Sequence, residues 1–264
     1  MDIQEDNTTV TLNGCNYKIH FQRLITDNNR PTIIFLHDAL GSIRQWGKLP
    51  IEICEKFNVN GIIYDRAGNG QSDCPKWDRS VGYLESEATQ VLPQLTREWS
   101  VSNPIVFGHS DGGTIALIYA AIFQCKACLA FSHHILMEEK TKEGLKYAAD
   151  NLVNNEIWLK KLSFYHGMQK TKWLCHNWVE TWLKEDFSNW DATPLLKGIT
   201  CPTLTFYGQQ DEYGTKHQNQ MVTKHSSGPV MEVLVDECKH FPFRETPHKV
   251  HESILAFFNM YSII

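Results

Sequence analysis

Short apolar runs closed off by glycine, proline or a charged residue recur along this chain, spaced too widely for simple hairpins. They are TIIFLH (Thr32 to His37), GIIYD (Gly61 to Asp65), PIVFGH (Pro104 to His109), ACLAFSH (Ala127 to His133), PTLTFYG (Pro202 to Gly208) and MEVLVD (Met231 to Asp236). Such continuous runs are what strands show when both faces of a parallel sheet are covered. TTVTL and YKIHF alternate instead, and Asn13-Gly14 between them predicts an antiparallel hairpin. Helical periodicity falls between the runs at about 82–99, 111–123 and 246–261. The alternation predicts a three-layer α/β sandwich with a mostly parallel central sheet.

The rhythm stops between Ile135 and Asp191. LKYAADNLV, EIWLKKLSFYH and TKWLCHNWVETWLKEDF are all helical in pattern, and Trp158, Trp173, Trp178, Trp182 and Trp190 lie among them. A helical excursion there leaves from the strand ends at which open α/β sheets bind ligands. The expectation is a core of residues 1–134 and 192–264 with a helical lid over 135–191. Trp173, Trp178 and Trp182 are its candidate pocket residues, with core packing the plainer alternative.

Composition removes several functions. The 264 residues carry a net charge of −5 with no block of five or more like charges, so no nucleic-acid partner is expected. The acidic start MDIQEDNTTV is unlike a secretory signal, and no apolar stretch has the length of a membrane span. A soluble, cytoplasmic protein with a small-molecule substrate and no membrane partner is expected. Of the eight cysteines only Cys125 and Cys128 have ligand-like spacing, and no second pair follows, so no metal site is expected.

The chemistry concentrates at IVFGHSDGG, residues 105–113, where G-x-S-x-G lies between a strand and the apolar run IALIYAAIF. A serine on that sharp junction is a nucleophile candidate; a helix cap is the bland reading. A nucleophile needs a base, an orienting acid and an oxyanion hole. His240 after MEVLVD and Asp211 after PTLTFYG supply the first two, with Asp236 the rival acid. The loop His37-Asp38-Ala39-Leu40-Gly41 can offer the Ala39 N–H, and the helix start the Asp111 N–H. His37, Asp38, His133 and His134 are candidates to line the pocket, although His133 and His134 could equally serve the core. His109, inside the elbow, is expected to pack or hydrogen-bond rather than react.

These features make the chain resemble the α/β-hydrolases, in their small, capped, esterase-like branch, over nearly its whole length. YDRAGNGQSD (Tyr64 to Asp73) is similar to that family's D-x-R-G-x-G-x-S loop. It departs from the family where His37-Asp38 replaces the usual His-Gly, and where Cys238-Lys239 precedes the histidine. The resemblance implies a Ser110–His240–Asp211 triad, no cofactor, and hydrolysis of a small, fairly apolar ester or related acyl compound. C–C bond hydrolysis, a cofactor-free dioxygenase of an aromatic heterocycle and a non-catalytic receptor share the fold and are the alternatives.

Overall fold

A computed structural model describes residues 1–27 and 29–264, built on a sheet of eight strands. They are β1 (Asp2–Leu12), β2 (Cys15–Ile25), β3 (Thr32–Leu36), β4 (Asn60–Tyr64), β5 (Ile105–His109), β6 (Ala127–Phe131), β7 (Thr203–Gly208) and β8 (Val230–Val235). Their spatial order is β1-β2-β4-β3-β5-β6-β7-β8. β1, β2 and β4 pair antiparallel; from β4 through β3 to β8 every pairing is parallel. Asn13 (φ 51°) and Gly14 (φ 72°) turn the first hairpin, the two-residue left-handed turn that Asn-Gly favours.

The helices are α1 (Leu49–Phe57), α2 (Tyr83–Ser86), α3 (Leu92–Glu98), α4 (Asp111–Ile122), α5 (Glu139–Asn151), α6 (Glu156–His166), α7 (Met168–Trp182), α8 (His217–His225), α9 (Pro242–Glu245) and α10 (Pro247–Tyr261). Neighbouring residues of one strand serve opposite layers. Ile34, Ile62 and Val106 pack with Leu92, Leu95 and Ile115 of α3 and α4. Ile33, Ile63 and Phe107 pack with Ile53, Phe57, Ile254 and Phe257 of α1 and α10. The continuous apolar runs are thereby explained, since each strand is buried on both sides.

Several elements differ in extent from the pattern. The helix expected over 82–99 is interrupted by a π turn, Glu87–Val91, just before Pro93. There the Leu92 N–H reaches back to the Glu87 carbonyl. β3 and β6 end at Leu36 and Phe131, short of the expected His37 and His133, where the apolar residues themselves stop. At Ser132 the backbone turns left-handed (φ 47°), which ends the ladder. α1 is a helix that the alternation did not single out.

Parallel topology brings the carboxyl ends of β3, β5, β6, β7 and β8 to one edge. From that edge the chain leaves β6 and returns to β7 through α5, α6 and α7. Exit and return are joined by an antiparallel bridge between Leu136 and Asp191, with the Met137 N–H donating to the Trp190 carbonyl at 2.9 Å and the Ala192 N–H to that of Ile135 at 2.8 Å. No helix among the described residues is long and apolar enough to cross a membrane.

Candidate active site

Ser110 is the single residue between β5 and α4, and its backbone lies at φ 54°, ψ −121°. L-residues avoid that region at a cost of about 1–3 kcal/mol, so neighbouring contacts must impose it. The Ser110 N–H donates to the Phe131 carbonyl at 2.9 Å, and the Ser110 carbonyl accepts from the Thr114 N–H at 3.0 Å. Two glycines let strand and helix close on each other. A Cβ on Gly108 would stand 2.0 Å from the Gly112 oxygen, and one on Gly112 would stand 1.9 Å from that of Leu36. The spacing of the motif thus follows from backbone packing.

The loops after β7 and β8 carry Asp211 and His240 to this serine, and all three residues are buried. Ser110 Oγ lies 3.0 Å from His240 Nε2, and His240 Nδ1 lies 2.9 and 2.8 Å from the two Asp211 oxygens. An ionised carboxylate only accepts, so the neutral ring carries its proton on Nδ1 and turns the Nε2 lone pair toward the serine hydroxyl. Burial alone would lower the His240 pKa, but the Asp211 charge and hydrogen bond leave it raised. Burial likewise works against ionised Asp211, yet His240 and the Tyr213 N–H, at 2.8 Å, hold its pKa below the ordinary value. Asp236, the rival acid, is exposed and paired with Gln209.

The unusual Cys238-Lys239-His240 turn is seated from several sides. His109 Nε2 donates to the His240 carbonyl at 2.7 Å, and the Cys238 carbonyl accepts from the Gln210 N–H at 2.9 Å. Gly208 lets it approach, since a Cβ there would lie 2.1 Å from the Cys238 oxygen. His109 is therefore a support of the histidine loop.

Beside Ser110, the N–H groups of Ala39 and Asp111 meet no acceptor among the described residues, and both residues border the same cavity. Arg66, from the YDRAG stretch, is buried between them. Its Nη2 donates to the Asp38 carbonyl at 2.8 Å and to Asp111 Oδ2 at 3.3 Å. The Asp38 carbonyl belongs to the same peptide group as the Ala39 N–H, so one guanidinium nitrogen braces both free donors. His37 adds to the grip: its Nε2 accepts the Arg66 N–H at 3.0 Å, which leaves Nδ1 to donate to the Asp38 carbonyl at 2.7 Å. Tyr83 donates to Asp111 Oδ2 at 2.6 Å and accepts from Trp182 Nε1 at 2.8 Å. The Asp38 carboxylate, where a glycine is usual, accepts the Leu40 N–H at 2.9 Å and lies 3.5 Å from His109 Nδ1. Burial disfavours its charge, but His109 and the Leu40 N–H keep its pKa low.

A cavity of about 360 Å³ opens on Ser110. Asp38, His134, Trp178 and Trp182 are among the residues around it, together with His240 and the two free donors. His37, His133 and Trp173 are not. His37 lies beneath its loop as the brace just described. His133 is buried edge-on to Tyr207, their rings 5.9 Å apart. Trp173 covers Gly68, where a Cβ would come within 2.4 Å of its ring, and it faces Arg79 across a separate depression. Trp178 and Trp182 share a helix face yet differ: Trp178 is half-buried beside Tyr213, and Trp182 is packed between Phe187 and Trp190. Sequence reasoning missed Arg66 and Tyr83, and also Leu145, Trp158 and Tyr213 at the cavity. The signals present were the arginine of YDRAG and the place of Trp158 among the tryptophans of the expected lid.

No group of three or more His, Cys, Asp or Glu among the described residues is arranged to hold a metal ion. Residues 33–253 match the model of the "Alpha/beta hydrolase family". The chain is 24% identical to a proline iminopeptidase of Saccharolobus solfataricus, over 93% of its own length and 90% of that protein's. It is 24% identical to a bifunctional esterase/perhydrolase of Acinetobacter calcoaceticus, over 86% of this chain and 91% of that one. Among solved structures, the enol-lactonase from Burkholderia xenovorans LB400 superposes with a TM-score of 0.73 at 17% identity, covering 96% of this chain and all of that one.

Proposed function

This chain belongs to the alpha/beta hydrolase family, and from that premise we propose that it is a serine hydrolase of small, largely apolar esters. Ser110 attacks the ester carbonyl carbon while His240 Nε2 takes the hydroxyl proton. The carbonyl π pair moves onto oxygen, where the Ala39 and Asp111 N–H groups receive it. Collapse of the tetrahedral adduct expels the alkoxide, which takes the proton from His240, and leaves Ser110 acylated. Water then repeats the sequence with His240 as base, freeing the acid and restoring Ser110. Asp211 keeps the imidazole in its working tautomer and stabilises the imidazolium.

The observation that carries this reading is the unbroken line Ser110 Oγ–His240 Nε2 at 3.0 Å and His240 Nδ1–Asp211 at 2.8 Å, starting from a serine in a strained turn. The helices between β6 and β7 serve as the lid, with Leu145, Trp158, Leu162 and Trp178 facing the cavity. Its walls favour a neutral ester over the free ammonium of a peptide. Asp111 is committed to Arg66 and Tyr83, Asp38 to the Leu40 N–H and His109, and two cations, Lys161 and Arg244, border the same space.

Replacing Ser110 with Ala tests the reading on p-nitrophenyl butanoate. The loss expected is on the order of 10⁶ in kcat, the cost of removing a comparable nucleophile. Retention of most of the rate would remove Ser110 from that role. Together with oxygen uptake on a hydroxylated heteroaromatic, it would favour a dioxygenase.

A further inference from the structure

His134 is the one imidazole at the cavity that the proposed chemistry leaves unused. Its backbone is fixed twice to Thr114, whose hydroxyl donates to the His134 carbonyl at 2.6 Å and lies 3.0 Å from the His134 N–H. Its ring is held edge-on to Trp182 at 5.1 Å and lies nearly parallel to His240 at 6.1 Å. The residue is only 4% exposed, and Nδ1 is sealed in without a hydrogen-bond partner. An orphaned buried N–H is the rarer defect in proteins, so the single proton of the neutral ring belongs on Nε2. Nδ1 is sealed and Nε2 is not, so the assignment puts the donor on the ring atom left open beside the cavity.

Burial and the neighbouring His240 push the His134 pKa down to about 4. At neutral pH the ring therefore offers a neutral N–H, suited to an uncharged oxygen. A carboxylate would gain no cation from this ring, and Asp38 stands at the same cavity wall. Around this donor the cavity is mostly apolar, with Leu145, Leu162, Trp178 and Trp182 among its walls. One directed donor in an apolar chamber reads a single polar feature on an otherwise greasy molecule.

We propose that His134 is a specificity-determining residue, its Nε2–H binding an uncharged hydroxyl or keto oxygen that the substrate carries a few bonds from the scissile carbonyl. The inference rests on the serine-hydrolase reading and narrows its substrate class to oxygen-bearing apolar esters. A site that hydrogen-bonds a substrate oxygen discriminates against the analogue that leaves its buried donor unpaired.

The test compares p-nitrophenyl butanoate with its 3-hydroxy and 3-oxo analogues, and phenyl butanoate with its 2-hydroxyphenyl ester. The protein is the full chain, as wild type, His134→Phe and His134→Gln. Phenylalanine keeps a ring against Trp182 and removes the donor; glutamine restores a donor. At least one oxygen-bearing ester should exceed its parent in kcat/KM by roughly tenfold in the wild type, the worth of one good hydrogen bond. His134→Phe should abolish that preference, read as the ratio of kcat/KM within each pair so that any change common to both esters cancels, and His134→Gln should recover part of it. Equal preference in wild type and His134→Phe overturns the inference. So does a wild type that favours the plain ester in every pair, whether or not a variant folds. If those plain esters are still cleaved in a Ser110-dependent way, the serine-hydrolase reading survives; if no ester is cleaved, both fall.

Discussion

Replacing Arg66 with Lys should lower kcat about 10- to 30-fold and leave KM nearly unchanged. A lysine Nζ ends one bond, roughly 1.3–1.5 Å, short of the arginine Nη position. The contacts of 2.8 Å to the Asp38 carbonyl and 3.3 Å to Asp111 would both open beyond hydrogen-bond range, because the buried backbone of Arg66 is fixed by its N–H to His37. Loss of one oxyanion donor outright costs about 2.7–4 kcal/mol. Here the donors persist but lose their brace, so about half that, ~1.4–2 kcal/mol, is expected, which is the stated factor in rate. The ground-state carbonyl gains little from these donors, so KM should hardly move. The assay is steady-state kinetics on p-nitrophenyl butanoate well below the melting temperature, alongside the inhibition constant of an alkyl boronic acid, which mimics the tetrahedral adduct. The inhibitor should weaken by the same factor as kcat. A raised KM with unchanged kcat and unchanged inhibitor affinity would refute the bracing role.

Other expectations follow from the same geometry. Because His240 must be neutral to accept a proton and its pKa is raised, kcat/KM should climb with pH through a value above the ordinary ~6.5. Asp211→Asn should move that limb to lower pH and cut the rate by up to about 10⁴. The same pair has a stability signature: the raised His240 contributes at low pH and loses that contribution as pH rises through its folded pKa, and the depressed Asp211 contributes above the unfolded carboxylate value and fails on acidification. Asp211→Asn should therefore depress the melting temperature more at pH 5.5 than at pH 9, as calorimetry can check. Trp178→Ala should raise KM for bulky esters, by about 1–3 kcal/mol of lost contact, and spare acetate esters. Trp182→Ala should instead lower the melting temperature, since it opens the Phe187–Trp190 stack and strips the Tyr83 hydroxyl of its donor. Equal KM changes in the two tryptophan variants would count against that division.

How legible these features were depends on the range of the interaction behind them. The elbow could be read because its residues lie within nine positions of one strand–turn–helix unit and Gly108 is constrained there by Gly112, although Gly112 itself answers to Leu36 of the neighbouring β3. The strands could be read because burial on both faces writes a continuous apolar run. Their ends could not: the expected strand takes in Ser132 and His133, but the ladder stops where the backbone turns to positive φ at Ser132. Arg66 and Tyr83 were invisible as braces because the groups they hold lie 28 to 45 positions away in sequence. A spacing of four puts Trp178 and Trp182 on one helix face but does not say that Phe187 and Trp190 fold back over the second. Trp173 shows the same limit, its ring drawn to a glycine in the loop after β4.

The most direct test is reaction with a fluorophosphonate, followed by intact-mass measurement and peptide mapping. A serine activated by His240 and Asp211 should take up a single phosphonyl group, displacing fluoride, on the peptide that contains Ser110. Prior treatment with an alkyl boronic acid should protect it, and Ser110→Ala should take up none. An unmodified wild-type protein, or a label mapped to a different serine, would contradict the assignment of Ser110 as the nucleophile.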